Sequence, residues 1–320
     1  MSALVSLLLA SPSVLDPAGE RAEKIEQVWW ILFAVSAVVF AVVTLLVLLA
    51  VARRSGRPLR GPEARDPLWA RALVLGGGVA VPAAVLVGLF ALTVATLPAV
   101  SAPAEEGALV VEVEGHQWFW NVRYPEQEIV SANEIHIPVG TPVEVRVTTA
   151  DVIHSFWVPQ LNRKIDLVPG RMSSIVLEAD RPGVYRGRCA EFCGVQHANM
   201  AFLVIAEPLD EFEAWAERMA APPQAATDEG GARGQEVFLE YGCGGCHTIA
   251  GTEADGELGP DLTHLGDRRT IAAGTIPNTR AWLAAWVLDP QHVKPGNKMP
   301  GIDIPGDDFQ ALLDYLESLE

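Results

Sequence analysis

Two long uncharged apolar runs open the chain. Val28 to Ala52 is 25 residues without a charge, and Ala72 to Ala104 is a second such run, mostly apolar as far as Leu97. Each exceeds the ~20 residues that cross a ~30 Å hydrocarbon core, so transmembrane helices are expected at about 28–52 and 72–97. Gly76-Gly-Gly78 and Pro82 in the second run are tolerated where membrane helices pack closely. The glycines then mark either a close helix contact or a flexible turn. Trp29 and Trp30 stand where interfacial aromatics are expected. Residues 3–15 are apolar but short, with no basic residue before them. They fit the signal-peptide pattern poorly, and cleavage near Ala10 or Ala18 stays open.

Beyond residue 105 the pattern shifts to short apolar stretches broken by Pro and Gly. Leu109–Val113, Ile135–Ile137, Val143–Val147, Val152–Val158, Ser174–Leu177, Val184–Arg188 and Phe202–Ile205 predict strands, and their spacing predicts a β-sandwich or barrel. Residues 208–220 predict a short amphipathic helix, with Leu209, Phe212, Trp215 and Met219 at helical spacing. Residues 221–231 are small, Pro-containing and Gly-ended, as in a linker. Gly234–Tyr241, Trp282–Leu288 and Asp307–Leu319 predict helices in a further domain, 232–320. The fold class expected is therefore multidomain: a two-helix membrane hairpin within 1–104, a β domain over 105–220, and a small all-α domain.

Charge sharpens this layout. The net charge of −17 divides into +2 over residues 1–100, −9 over 101–220 and −10 over 221–320. Acidity in the last two segments argues against nucleic-acid binding and for a basic partner, or simply for solubility. The six arginines between the apolar runs, Arg53, Arg54, Arg57, Arg60, Arg65 and Arg71, place that loop in the cytoplasm by the positive-inside rule. Both termini, and everything after residue 100, then lie outside the cell membrane.

Candidate chemistry gathers in Cys189-Ala-Glu191-Phe-Cys193-Gly-Val-Gln-His197-Ala-Asn-Met200. Two thiols, an imidazole and a thioether form a soft ligand set, which selects copper over magnesium or calcium. His154, inside a predicted strand, is the natural further donor. The set exceeds what one blue-copper ion takes and suits two coppers bridged by two sulfurs. A disulfide or a tetrahedral zinc site uses neither Met200 nor a carboxylate between the cysteines.

This stretch resembles the binuclear copper (CuA) loop of cytochrome c oxidase subunit II. The resemblance implies a cupredoxin-like Greek key, with Cys189 and Cys193 bridging two coppers and His154 and His197 binding one each. It also implies Met200 as a weak ligand and Glu191 as a carbonyl ligand whose side chain reaches a magnesium or manganese ion at subunit I. Within Gly115-His116-Gln-Trp118-Phe-Trp120, it implies that Trp118 lies where electrons arrive, while Trp120 is read as core. Asp166 and Arg171 match a segment at the subunit I contact. Leu75 stands where the family usually has a proton-channel Glu, and Glu63 and Asp66 lie too far upstream to replace it.

Cys243-Gly-Gly-Cys246-His247 is the signature of covalent c-type haem attachment, the thiols holding the haem and His247 the iron. Met299 is the only methionine after Met219 and is the expected sixth ligand, with His264 and His292 as alternatives. Gly259-Pro-Asp-Leu262 resembles the segment packing on the proximal side in class I cytochromes c. The chain as a whole resembles subunit II of a caa-type oxidase. That implies subunit I and other haem–copper oxidase subunits as partners, an external donor such as cytochrome c, and a bacterial cell membrane. A lone dicopper enzyme such as a nitrous-oxide reductase needs more histidine than the seven here. A nitric-oxide-reducing relative and a membrane-anchored carrier remain open.

Overall fold

A computed structural model describes residues 12–54, 68–223 and 229–320. Arg57, Arg60, Glu63, Arg65 and Asp66, the first residues of the apolar 3–15 stretch, and the middle of the expected linker lie outside the described residues.

Helix α1, Glu20–Arg54, and the run Leu68–Ser101 are both long and apolar enough to cross a membrane. The second run comprises α2, Leu68–Leu75, a π-helical turn, Gly76–Ala80, and α3, Val81–Ser101. The widened turn falls on the glycine run, where the absence of side chains lowers the cost of an irregular backbone. A Cβ at Gly76, Gly77 or Gly78 would meet nothing within 4 Å. Leu75 projects outward at the end of α2.

Ten strands form a two-sheet sandwich. They are β1 Val110–His116, β2 Phe119–Tyr124, β3 Ile129–Ala132, β4 Glu134–Pro138, β5 Val143–Thr149, β6 His154–Trp157, β7 Ile165–Leu167, β8 Ser173–Leu177, β9 Gly183–Cys189 and β10 Ala201–Glu207. One sheet has the order β3-β2-β1-β5-β8 and the other β4-β10-β9-β6-β7. The β1–β5 and β4–β10 pairs are parallel, so these neighbours are joined by crossover connections rather than tight hairpins. Alternation sets the faces: Val111 and Val113 of β1 pair with Val145 and Val147 of β5, all buried. Trp120, fully buried, packs edge-on to Phe156 and Phe202 at the centre of this core.

Three strands exceed the sequence reading. β2 carries Asn121 and Arg123 between buried Trp120, Val122 and Tyr124, so outward polar residues interrupt its apolar run. β3 and β7 are only four and three residues long. The segment before α1 packs on the sandwich. Asp180 N–H donates to Ala18 O, and Ala18 N–H to Gln160 O, both at 2.8 Å. Helix α4, Leu209–Ala220, buries Phe212, Trp215 and Met219. Leu209, expected on that stripe, stands at the start of the helix and is exposed.

The helical domain contains α5 Glu229–Glu240, a hairpin of β11 Thr270–Ile271 and β12 Ile276–Pro277, α6 Arg280–Leu288, a short α7 Pro290–Val293, and α8 Gly306–Glu317. Helix α5 begins inside the stretch expected as linker. α5 and α8 cross at Gly234, where a Cβ would lie 2.2 Å from Ala311 O. Only glycine permits that approach, and the contact holds the first and last helices of the domain together. Val237, Phe238, Leu312, Leu313 and Leu316 fill the core they enclose.

Candidate metal and haem sites

Three segments converge at one end of the second sheet. β9 ends at Cys189, β6 begins at His154, and the loop between β9 and β10 carries Cys193 and a 3₁₀ turn, His197–Asn199, before Met200. Backbone bonds close the loop: Cys189 N–H donates to Met200 O at 2.9 Å and His197 N–H to Gly194 O at 3.0 Å. Gly194, at φ +117°, is fixed by packing as well, since its Cβ would stand 2.9 Å from the Trp118 ring.

The donors sit within a few ångströms of one another. Cys189 Sγ is 3.7 Å from Cys193 Sγ, 3.8 Å from His154 Nδ1 and 3.1 Å from Glu191 O. Cys193 Sγ is 3.7 Å from His197 Nδ1 and 3.8 Å from Met200 Sδ. His154, Cys189, Cys193 and Met200 are buried. The sulfurs are far beyond the roughly 2.05 Å of a disulfide, and both cysteines are free. The hydrogen bonds of Cys189 to Cys193 and His154 hold its thiol well below the ordinary thiol range despite burial. The contact with Cys189 and burial push the Cys193 thiol up. Such a pair gives up both protons when a cation takes their place. The donor set fits soft metal, and it offers more ligands than a tetrahedral zinc site uses.

Orientation comes from a residue that sequence reading missed. His154 Nε2 bonds Asp151 Oδ1 at 2.9 Å, which turns Nδ1 toward the sulfurs. Asp151 also accepts from Gln117 N–H at 2.7 Å. Gln117 Nε2 and Trp118 Nε1 donate to Cys193 O at 2.7 and 3.1 Å. Gly115 lets β1 pass the His154 ring, where a Cβ would come within 3.1 Å. The Asp-x-x-His spacing of Asp151 and His154 was the available signal. The Glu191 side chain is exposed, as are Asp166 and Arg171. Among the described residues no further cluster of three or more His, Cys, Asp or Glu ligands forms, so the magnesium expectation finds no support in the chain itself.

In the helical domain, Cys243 opens a 3₁₀ turn and Cys246 follows it, both half-buried. His247 Nδ1 donates to Pro260 O at 2.8 Å, leaving Nε2 free for a metal. Burial also holds its pKa down, favouring the neutral ring that binds iron. The segment 256–260 lies flat against the motif. A Cβ at Gly256 would be 2.4 Å from Cys246 N, and one at Gly259 2.5 Å from His247 Cε1. Met299 is half-buried on a separate loop, its N–H donating to Asn297 Oδ1 at 2.8 Å and its carbonyl accepting from Gln291 at 3.0 Å. Of the alternatives, His292 is exposed, whereas His264 is buried with Nδ1 unpartnered. These residues fit a covalently held haem.

The fold and donor sets define a cupredoxin-like copper domain behind two apolar helices, joined to a c-type cytochrome domain. Residues 127–207 match the family of the cytochrome c oxidase subunit II periplasmic domain, and residues 231–320 match the cytochrome c family. Cytochrome c oxidase subunit 2 of Alkalihalophilus pseudofirmus is 42% identical over 67% of this chain and 62% of its own length. Its counterpart in Bacillus sp. strain PS3 is 32% identical over 68% and 64%. The crystal structure of the periplasmic domain of Bradyrhizobium japonicum cytochrome oxidase subunit II is 31% identical, covering 36% of this chain and 96% of that one at a TM-score of 0.35. The chain spans just under two thirds of the length of the curated relatives it matches. The chain carries a domain of the cytochrome c oxidase subunit II periplasmic family, followed by a domain of the cytochrome c family.

Proposed function

We propose that this chain is the electron-accepting subunit of a respiratory haem–copper oxidase. Cys243 and Cys246 hold haem c through thioethers, with His247 and Met299 on its iron. Cys189 and Cys193, with His154, His197, Met200 and the Glu191 carbonyl, would hold a dicopper centre. Held there, the two groups would supply one-electron transfer from an external donor such as a cytochrome c toward haem a in subunit I. There oxygen is reduced to water with proton translocation.

The residues set the conditions for this transfer. His154 is pinned by Asp151, and the thiols sit in a buried loop closed by backbone hydrogen bonds. A rigid site of this kind changes little between oxidation states. Trp118, bonded through Nε1 to Cys193 O, lies on the face where electrons arrive. Residues 221–231 link the domains, and the copper and haem domains lie outside a bacterial cell membrane. Leu75 leaves a proton-channel role for this subunit unsupported.

The gathering of five sulfur and nitrogen donors and one carbonyl oxygen at 3.1–3.8 Å, in a chain with a two-helix anchor, carries this reading. The test is gentle purification from membranes. Co-purifying haem a with oxygen uptake from a cytochrome c donor is the expected result. Nitric-oxide reduction without oxygen uptake would reassign the complex, and a chain free of any catalytic partner would leave only a membrane-anchored carrier.

A further inference from the structure

Two charged side chains outside either metal site are buried where the haem domain meets the copper domain. Glu134 of β4 is 3% exposed and Lys294, just beyond α7, is 2% exposed. Burying an unpaired charge is costly, so such groups need full hydrogen bonding. Glu134 has it. Oε1 accepts from Thr270 N–H at 2.8 Å and Thr270 Oγ1 at 2.9 Å, and Oε2 accepts from Arg269 N–H at 3.1 Å. Lys294 has it too. Nζ donates to Asn199 O at 2.8 Å, Ala272 O at 3.0 Å and Trp118 O at 3.4 Å. Burial pulls its pKa down to about 7, while three carbonyl acceptors match the three N–H donors of the ammonium and favour it.

Between these charges the β11–β12 hairpin presses its tip onto the copper loop. Ala272, Ala273 and Gly274 all have positive φ, at +54°, +56° and +66°. For the two alanines this left-handed backbone is unfavourable and persists only where its surroundings impose it. Ala201 N–H donates to Ala273 O at 3.0 Å, and Thr275 Oγ1 donates to Asn199 O at 3.2 Å. A Cβ on Gly274 would stand 3.2 Å from the Ala201 backbone. On the other side of Lys294, Gln196 Nε2 donates to Pro295 O at 2.6 Å. Every one of these contacts falls on Gln196, Asn199 or Ala201, in the segment that contains candidate ligands His197 and Met200. The haem domain contributes the loop that leads to Met299.

We propose that the haem domain is a seated donor, held in one pose on the copper loop, with Glu134 and Lys294 as the positioning residues. The seat is made by Glu134, Trp118 and Gln196–Ala201. It receives the hairpin tip and Lys294-Pro295. The consequence for electron flow rests on the oxidase reading: transfer from haem c to the dicopper centre occurs at a fixed separation and does not wait for domain diffusion.

The experiment uses the full chain carrying haem and copper, with Glu134→Gln, Lys294→Met and Lys294→Arg beside the parent. Gln places an NH₂ donor against the Arg269 N–H. Met removes all three ammonium bonds, and Arg restores a cation. Hydrogen exchange at the Ala201, Arg269 and Thr270 amides reads the seat directly. These amides should exchange at least about tenfold faster in Glu134→Gln and Lys294→Met than in the parent, with Lys294→Arg between. Copper and haem contents equal to the parent's show that a variant is folded. After a light-driven pulse reduces haem c, reoxidation should ignore added glycerol in the parent and slow with viscosity in Glu134→Gln. Parent amides exchanging as fast as the variants', or a parent rate falling with viscosity, overturns the seat. If the parent lacks the dicopper centre, the oxidase reading fails while the exchange result still judges the seat.

Discussion

The proposed copper site and the proposed haem site solve one problem by different means. Each must aim a histidine nitrogen at a metal. At the copper site a carboxylate does it: Asp151 takes Nε2 of His154 and leaves Nδ1 facing the sulfurs. At the haem site a backbone carbonyl does it: Pro260 takes Nδ1 of His247 and leaves Nε2. The copper donors are already within 3.1–3.8 Å of each other, because strand ends and one short loop bring them together. The haem donors come from separate segments, shaped by glycines that let the chain lie against the motif. An ion of atomic size needs donors nearly touching, whereas a flat cofactor needs walls and two axial groups. The copper side therefore depends on side-chain chemistry, and the haem side on backbone shape.

Substitutions can break or sharpen that contrast. The largest effect is expected from Gly259→Ala. Its Cβ would fall 2.5–3.0 Å from three His247 ring atoms, so the imidazole must move. Loss of the six-coordinate haem spectrum is expected, with copper content unchanged. An unaltered haem spectrum would show that backbone shape does not set this ligand. Next is Asp151→Ala. Losing the partner that orients a metal-binding His costs roughly 10–100-fold in metal affinity, measured by competition with a copper chelator. Pro260→Ala keeps the carbonyl and should leave haem ligation as it was. Equal sensitivity at 151 and 260 would erase the distinction.

The smallest effect concerns acid. Burial raises the Glu207 pKa, but the bond from His136 Nδ1 at 2.9 Å and the charges of Arg269 and Arg218 outweigh it, so the carboxyl is held below its ordinary 4.5. A depressed carboxyl pKa means that the folded state binds fewer protons than the unfolded chain as pH falls from about 4.5. The stability it contributes is fully present above 4.5 and is lost as pH falls through the folded value. Glu207→Gln should flatten this acid limb in urea titrations, by at most about 1 kcal/mol for a partly exposed pair. A mutant as acid-sensitive as the parent would remove the pair from the account.

Much of this was legible in the sequence because it is local. The copper loop and the haem motif are each contiguous, so their cysteines and the histidines beside them could be singled out as candidates without a fold. The two apolar helices were equally plain, their cause being length and absence of charge. What escaped depends on distant partners. Glu134 reads as an unremarked acid at the start of a short strand, because the amides it accepts from lie 135 and 136 residues away. Asp151 was hidden in a turn, and its role exists only once β6 aims His154 at it. β2 was masked because Trp118-Phe-Trp120 drew attention as an aromatic cluster. Yet Trp120, Val122 and Tyr124 alternate with Asn121 and Arg123 as a half-buried strand should. The left-handed tip at Ala272 and Ala273 carries no sequence signal, since alanine does not favour that backbone.

The most direct test of the central claim is the copper-to-haem ratio of the purified full chain, taken with its electron paramagnetic resonance spectrum before and after Cys189→Ser. Two coppers per haem, sharing one unpaired electron in a signal lost on that substitution, is the result this account expects. One copper or one zinc per haem, or no metal with Cys189 and Cys193 joined as a disulfide, would contradict it.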